Sequence, residues 1–437
     1  MKILKLCLAI VVLVLAFYFR TPFLASLRPF VFWGIIVLSL ALIVREIPLL
    51  KDRSLTRQSL LSFLILTIAA FTLSATVARE VKFNEMKNTV LSQDAKKIEH
   101  LGQHFIIGYR DFNEIKNLVD KKAICGIFIT RRNINNKSPE QIKQEIQSLQ
   151  KIRTSQGLSP LWIATDQEGG IVSRLSPPLT QLPPLSKFVE GKEKIEKKKE
   201  VVVEYAKIHG EELSEIGVNV NFAPVVDLNK GIINPKDKYS QIYQRAISAD
   251  QNVVAKVGLW YCQTLEIYKV HCTIKHFPGL GRVDADTHLQ HADLNTSVKD
   301  LTKEDWVPFR QIMSNFGGFT MLGHVKLTGV DRDTPVSFSK KVVMGILRNS
   351  WQYDGILITD DFSMEAVYGS RDGLEGATVK AINAGVDLIL IAYDTDLYYQ
   401  AMDALLSAEA GGKLDDEMLL KSQARLGLSL QGIGARG

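Results

Sequence analysis

Hydrophobic residues are arranged along this chain in two ways. Before residue 80 they form three uncharged runs, Leu6–Phe19, Phe30–Val44 and Ser59–Ala78. After about residue 95 they form short stretches that alternate with longer amphipathic ones. A helix needs about 20 mostly apolar residues to cross a bilayer, with a range near 17–25. The third run has that length. The first reaches it with Ile3–Lys5, and the second by continuing past Arg45–Glu46 toward Leu50, with its charges at the interface. The pattern therefore predicts helices near 3–19, 29–48 and 59–78, making residues 1–80 a membrane segment whose partner is a lipid bilayer. A cleaved signal peptide is the alternative for the first run. No small-x-small site follows it and two further runs do, which argues against cleavage there. The end of the third run, Thr76–Val77–Ala78, has the look of such a site.

Charge orients these helices. The link between runs two and three holds Arg45, Lys51, Arg53 and Arg57, while the link between runs one and two holds only Arg20 and Arg28. The positive-inside rule places the richer link and the Lys2/Lys5 terminus in the cytoplasm. Three crossings then leave everything after Arg79 outside. The expected localisation is a bacterial inner membrane with the soluble part on its periplasmic or extracellular side.

Beyond a linker at 81–96, eight stretches read as strands: Phe105–Tyr109, Gly126–Thr130, Leu161–Asp166, Asn219–Pro224, Cys272–Phe277, Phe319–His324, Ile356–Asp361 and Asp387–Ala392. Helical patterns lie between most of them, such as Pro139–Thr154, Lys194–Ile216, Asp250–Ile267 and Lys340–Trp351. Eight strand-helix units imply an α/β fold, a closed (β/α)8 TIM-type barrel over residues 97–437. An open doubly wound sheet would usually carry a Gly-rich phosphate turn after its first strand, and Gly108–Tyr109–Arg110 is not one. The Lys/Glu-rich stretch Lys192–Lys199 reads as a solvated helix face.

Composition changes this picture little. The net charge of +6 resides wholly in residues 1–80, leaving 44 basic and 44 acidic side chains in the rest. A balanced soluble part gives no electrostatic reason to expect a nucleic-acid partner. The cysteines (Cys7, Cys125, Cys262, Cys272) show no metal-type spacing. A Cys262–Cys272 disulfide is open in an oxidising compartment, but buried free thiols are the expectation.

Chemistry-bearing residues gather at one end of the strands. Strand three ends at Asp166, strand five at Lys275–His276, strand six at His324 and strand seven at Asp360–Asp361; strand four runs into Asp227. A single strand-end Asp is often only a helix cap. Several at the C-terminal end of one barrel mark an active site.

Four segments carry a specific resemblance. They are Lys275–His276–Phe277–Pro278–Gly279–Leu280–Gly281 with Asp286–Thr287–His288, then Asp166–Gln167–Glu168–Gly169–Gly170 with Arg174, then Asn221–Phe222–Ala223–Pro224–Val225–Val226–Asp227, and last Gly355–Ile356–Leu357–Ile358–Thr359–Asp360–Asp361–Phe362–Ser363–Met364. In order and spacing, over residues 97–395, these resemble glycoside hydrolase family 3, most of all its single-domain β-N-acetylglucosaminidases. The resemblance implies that Asp360 is the nucleophile of a retaining glycosidase. Asp361 is its rival, read as a cap or supporting partner of the helix that follows. Most retaining glycosidases use a second carboxylic acid as acid/base. Here the resemblance implies a pair on the loop after strand five instead, His288 oriented by Asp286. An imidazole has the right intrinsic pKa to protonate a leaving oxygen and then activate water. Should His288 fail that role, Glu168 is the next carboxylate to test.

For the nonreducing sugar the resemblance implies Asp166, Arg174, Arg245, Lys275 and His276 as binding residues, the carboxylate accepting hydrogen bonds and the cations donating them. Arg245 sits in a loose version of its motif, Gln244–Arg245–Ala246–Ile247–Ser248, and His324 is either near the site or simply packed. Two positions depart from the family: Leu280 where it usually has His, and Ile171 where it often has Arg. The expected activity is removal of terminal β-linked N-acetylglucosamine, from peptidoglycan fragments or related β-hexosaminides. No metal, organic cofactor or protein partner is implied. The rivals are glucosidase-type or phosphorolytic activity, and a catalytically silent glycan-binding protein of the envelope.

Overall fold

The computed structural model describes residues 2–50, 57–191 and 193–434. Lys51, Arg53 and Lys192, which enter the orientation and helix-face arguments, lie outside the described residues. The chain divides into two compact units, Met1–Ser92 and Gln93–Gly437.

The first unit is three helices, Lys2–Tyr18, Arg28–Glu46 and Arg57–Leu91. Their shared seam buries Ala9, Leu42, Ile65 and Ala69 at one level, and Val12, Ala16, Phe19 and Ile35 at another. Hydroxyls turned inward bond their own helix, Thr72 Oγ1 to the Ile68 carbonyl at 2.7 Å and Thr76 Oγ1 to that of Thr72 at 2.8 Å. The outer faces carry exposed Val11, Val14, Trp33, Val37, Val44 and Phe63.

Charges close both ends of the bundle. Buried Glu46 accepts from Lys2 Nζ at 2.7 Å and Lys5 Nζ at 2.5 Å, and Lys2 also reaches Ser62. At the other end Arg20 pairs with Glu80 and lies 3.6 Å from the Phe83 ring centre, while Arg79 Nη1 donates to the Phe17 carbonyl at 2.6 Å. The helices therefore run up, down and up. The third does not stop at Ala78 but continues to Leu91, so most of the expected linker 81–96 is helix. Arg79–Glu80 ends the apolar composition without ending helix propensity: the residues after it lack glycine and proline and include several good helix formers.

The second unit is the expected barrel, with all eight strands in place: β1 (Phe105–Gly108), β2 (Gly126–Phe128), β3 (Trp162–Thr165), β4 (Val220–Asn221), β5 (His271–Phe277), β6 (Phe319–Leu322), β7 (Ile356–Asp361) and β8 (Leu388–Ile391). They are parallel, follow one another around the barrel in chain order, and close β8 against β1. Alternate residues point inward, as the two-residue strand period requires. Trp162 and Ala164, Phe319 and Met321, Ile356 and Ile358, and Leu388 and Leu390 thus share one core, in which Phe128 stacks on Phe222 at 5.7 Å.

The helices obey local signals. Ser138 caps Pro139–Ser155 in a reciprocal box with Gln141, and Asp250 caps Gln251–Ile267 through the N–H groups of Asn252 and Val253. The stretch expected as one helix at Lys340–Trp351 is an α-turn followed by a π-helix, Val343–Ser350.

Beneath the strands one carboxylate gathers the seam. Buried Asp387 accepts from Arg348 at 2.6 Å, from the Leu357 N–H at 2.8 Å and from Arg425 of the helix Asp416–Gly434 at 2.8 Å. Its carbonyl is 2.9 Å from His104 Nδ1, just ahead of β1. Contrary to the expectation of free thiols, Cys262 and Cys272 are disulfide-bonded, with Cα atoms 5.2 Å apart. The first lies within the helix Gln251–Ile267 and the second near the start of β5, which packs against that helix and brings them within bonding range.

Candidate active site

Loops at the C-terminal ends of β3, β4, β5 and β7 bring together nearly all of the expected residues. After β3 the chain makes a small hairpin, Gln167–Gly169 against Val172–Ser173. Gly169 and Gly170 turn it with φ of 91° and 62°. A side chain at Gly169 would strike the Tyr205 hydroxyl, which donates to the carbonyl of Glu168 at 2.9 Å.

That turn fixes Glu168 at the centre of an ionic cluster. Arg245 binds its carboxylate through two nitrogens at 2.9 and 2.7 Å, and buried Lys275 sits 2.6 Å from it. Lys275 is also 2.6 Å from Asp166, which is partly exposed. Burial alone would raise the pKa of Glu168, but Arg245 and Lys275 outweigh it and hold the group near 2. A carboxylate so clamped is a poor proton donor near neutral pH, which counts against Glu168 as the fallback acid. His276 lies against the cluster, its Nε2 3.4 Å from Arg245. Its Nδ1 is 2.8 Å from buried Asp227, which also accepts the main-chain N–H of Leu280 at 2.7 Å. Leu280, one of the two departures, is thus buried beside the site, whereas Ile171 is exposed at the hairpin turn.

Asp360 and Asp361 end β7 and differ sharply. Asp361 Oδ1 accepts the N–H groups of Ser363 at 2.9 Å and Ala392 at 2.8 Å, and burial pushes its pKa up. Asp360 accepts only the N–H of Asp361, at 2.8 Å, among the described residues. Burial would raise its pKa too, but His276, His324 and His288 nearby lower it to about 2. His324 is packed between Ser337 (2.8 Å) and the Asp361 carbonyl (3.1 Å), and burial pulls its pKa down to about 4.

On the loop after β5, Asp286 Oδ1 is 2.9 Å from His288 Nδ1 and accepts the His288 N–H at 3.0 Å. Its other oxygen accepts the N–H groups of Lys238 and Tyr239 at 3.2 and 3.1 Å. Despite burial, these donors and His288 bring the pKa of Asp286 down to about 2. The loop is pinned toward β7, the Glu365 N–H donating to the His288 carbonyl at 3.1 Å. Arg174 is the exception among the expected residues. Its N–H donates to the Asp166 carbonyl at 2.9 Å, but its side chain is exposed and joins no ion pair among the described residues.

Two residues take parts that the sequence reading did not give them: Glu168, read as a fallback acid, is the centre of the ion cluster, and Asp227, read only as a strand-end group, supports His276. Asp227 had a signal, since strand four runs into it. Glu168 had no signal for that part beyond its place in a motif, because its partners come from the segment after β4 and from β5 itself.

Residues 94–427 match the family model described as the glycosyl hydrolase family 3 N-terminal domain. The chain belongs to glycoside hydrolase family 3. It is 31% identical over 302 residues to a β-hexosaminidase of Xylella fastidiosa (strain M23), covering 68% of this chain and 83% of that one. It is 28% identical over 333 residues to β-hexosaminidase A of Pseudoalteromonas piscicida, covering 72% of this chain but only 54% of that protein. The solved family 3 β-N-acetylglucosaminidase from Paenibacillus sp. str. FPU-7 superposes with a TM-score of 0.71 at 29% identity, over 78% of this chain and 63% of that one. The chain thus spans about half of one of these relatives and under two thirds of another.

Proposed function

We propose that this family 3 member is a membrane-anchored β-N-acetylhexosaminidase that removes terminal β-linked N-acetylglucosamine from peptidoglycan fragments. One observation carries the mechanism. Asp360 and Asp361 join no ion pair among the described residues, and of the two it is Asp360 whose pKa is held down, within the field of an imidazole oriented by Asp286. Asp360 attacks the anomeric carbon. His288 Nε2 protonates the departing oxygen and later takes a proton from the water that releases the sugar from Asp360. Asp286 occupies Nδ1, so only Nε2 faces the reaction. Asp166, Lys275, Arg245 and His276 bind the nonreducing sugar; Arg174 joins them if its exposed side chain turns inward when substrate enters.

The whole chain, purified in detergent, tests this on 4-nitrophenyl β-glycosides with and without phosphate. β-N-Acetylglucosaminide should be cleaved with kcat/KM about 100-fold or more above the glucoside, without glycosyl phosphate. Preference for the glucoside, phosphorolysis, or no turnover would overturn the reading in favour of one of its rivals.

The anchor is read from the three-helix unit. Arg28–Glu46 and Arg57–Leu91 are each long and apolar enough to span, and the 17 residues of Lys2–Tyr18 fall at the short end of the range. Exposed apolar side chains around the bundle suit lipid. Cleavage after the first run would strip Lys2 and Lys5 from buried Glu46 and leave its charge unpaired, which favours a retained helix. The Cys262–Cys272 disulfide fits an oxidising compartment, hence a catalytic unit outside the inner membrane. Protease added to intact spheroplasts should therefore digest the catalytic unit. Protection until the membrane is permeabilised would reverse the orientation.

A further inference from the structure

The cluster around Lys275 can hold the sugar that is transferred, but a glycosidase must also seat the group that leaves. His288 Nδ1 is taken by Asp286, so the leaving oxygen must approach Nε2. Beside that imidazole lies the ring of Tyr239, with centroids 5.5 Å apart and planes inclined at 46°. Tyr239 is 51% exposed although its neighbour Ser240 and the carboxylate it serves are buried. Its backbone is held in place: the Tyr239 N–H donates to Asp286 Oδ2 at 3.1 Å, flanked by the Lys238 N–H at 3.2 Å and Ser240 Oγ at 3.3 Å from Oδ1. One carboxylate therefore positions both the imidazole and the segment that carries the phenol ring. The main-chain bond does not need the phenol, and the Tyr239 hydroxyl has no hydrogen-bond partner among the described residues. A fixed, exposed aromatic face with no structural duty is what the C–H face of a pyranose ring packs against.

We infer that Tyr239 is the platform for the leaving group, and that this leaving group is a second sugar ring rather than a small alcohol or a peptide side chain. The inference rests on His288 being the acid/base. Tyr239 binds only the aglycone, so its removal should alter the choice among leaving groups and not the handling of the transferred sugar.

The test compares wild type, Tyr239→Ala and Tyr239→Phe on two substrates of the same transferred sugar. N,N′-Diacetylchitobiose departs as a sugar ring; β-N-acetylglucosaminyl fluoride departs as an ion too small to reach the platform. For Tyr239→Ala the ratio of kcat/KM on chitobiose to that on the fluoride should fall about tenfold, chiefly through KM. Tyr239→Phe should restore the ratio to within about twofold, since stacking needs the ring and not the hydroxyl. An unchanged ratio in Tyr239→Ala, whether both substrates slow together or neither does, overturns the platform and leaves the hydrolase reading intact. Inactivity of the wild type on both substrates overturns the hydrolase and the platform with it.

Discussion

Asp360→Asn should lower kcat on aryl β-N-acetylglucosaminides by about four orders of magnitude or more, with KM little changed. The amide keeps the shape of the carboxylate and can still accept the Asp361 N–H, so the fold should survive. What it loses is the anion that forms the bond to the anomeric carbon. Asp361→Asn is the control for position. Its oxygen can go on accepting the N–H groups of Ser363 and Ala392, so the loss should stay within about tenfold. A mechanism-based fluoro-sugar should label the peptide at Asp360, and a label on Asp361 would exchange the two assignments.

His288→Ala should divide substrates by leaving-group ability. Natural aglycones need a proton to depart and should be turned over about a thousandfold more slowly. Dinitrophenyl glycosides need none, so formation of the glycosyl intermediate should survive and its breakdown should become limiting. A burst of phenol should then appear. Azide, which needs no general base, should restore turnover and yield the β-glycosyl azide. Asp286→Ala should show the same pattern more weakly, because it frees the imidazole without removing it. If activated and natural substrates slow alike, with neither burst nor azide rescue, His288 only supports the loop. Glu168 is poorly placed to replace it, being bound by both Arg245 and Lys275.

The barrel was legible because its strands are short apolar runs separated by amphipathic stretches, and Ile356–Asp361 falls on β7 residue for residue. Asp286 and His288 were singled out by the resemblance of the motif that precedes them, and, being two residues apart, they meet in the fold at 2.9 Å. Features set by convergence were not legible. Glu168 draws Arg245 from a short helix after β4 and Lys275 from β5, and no local pattern announces the meeting. Cys262 and Cys272 lie on different elements, so their pairing depended on how a helix packs against the strand that follows it. The third helix outran its expected end for a different reason. Hydropathy reports where lipid would stop, and helix propensity carries the backbone on past that point.

The carboxylate of Asp387 constrains the order in which the protein is made. It is buried between Arg348 and Arg425, and its backbone carbonyl ties the start of β8 to His104 ahead of β1. Arg425 leaves the ribosome only after every strand has been synthesised. Until then a closed seam would bury a carboxylate lacking one of its two guanidinium partners, at a substantial electrostatic penalty. The three apolar helices emerge long before that. If those helices insert as they emerge, nascent chains should enter the bilayer with the barrel still open, and the barrel should close only where it has already been delivered.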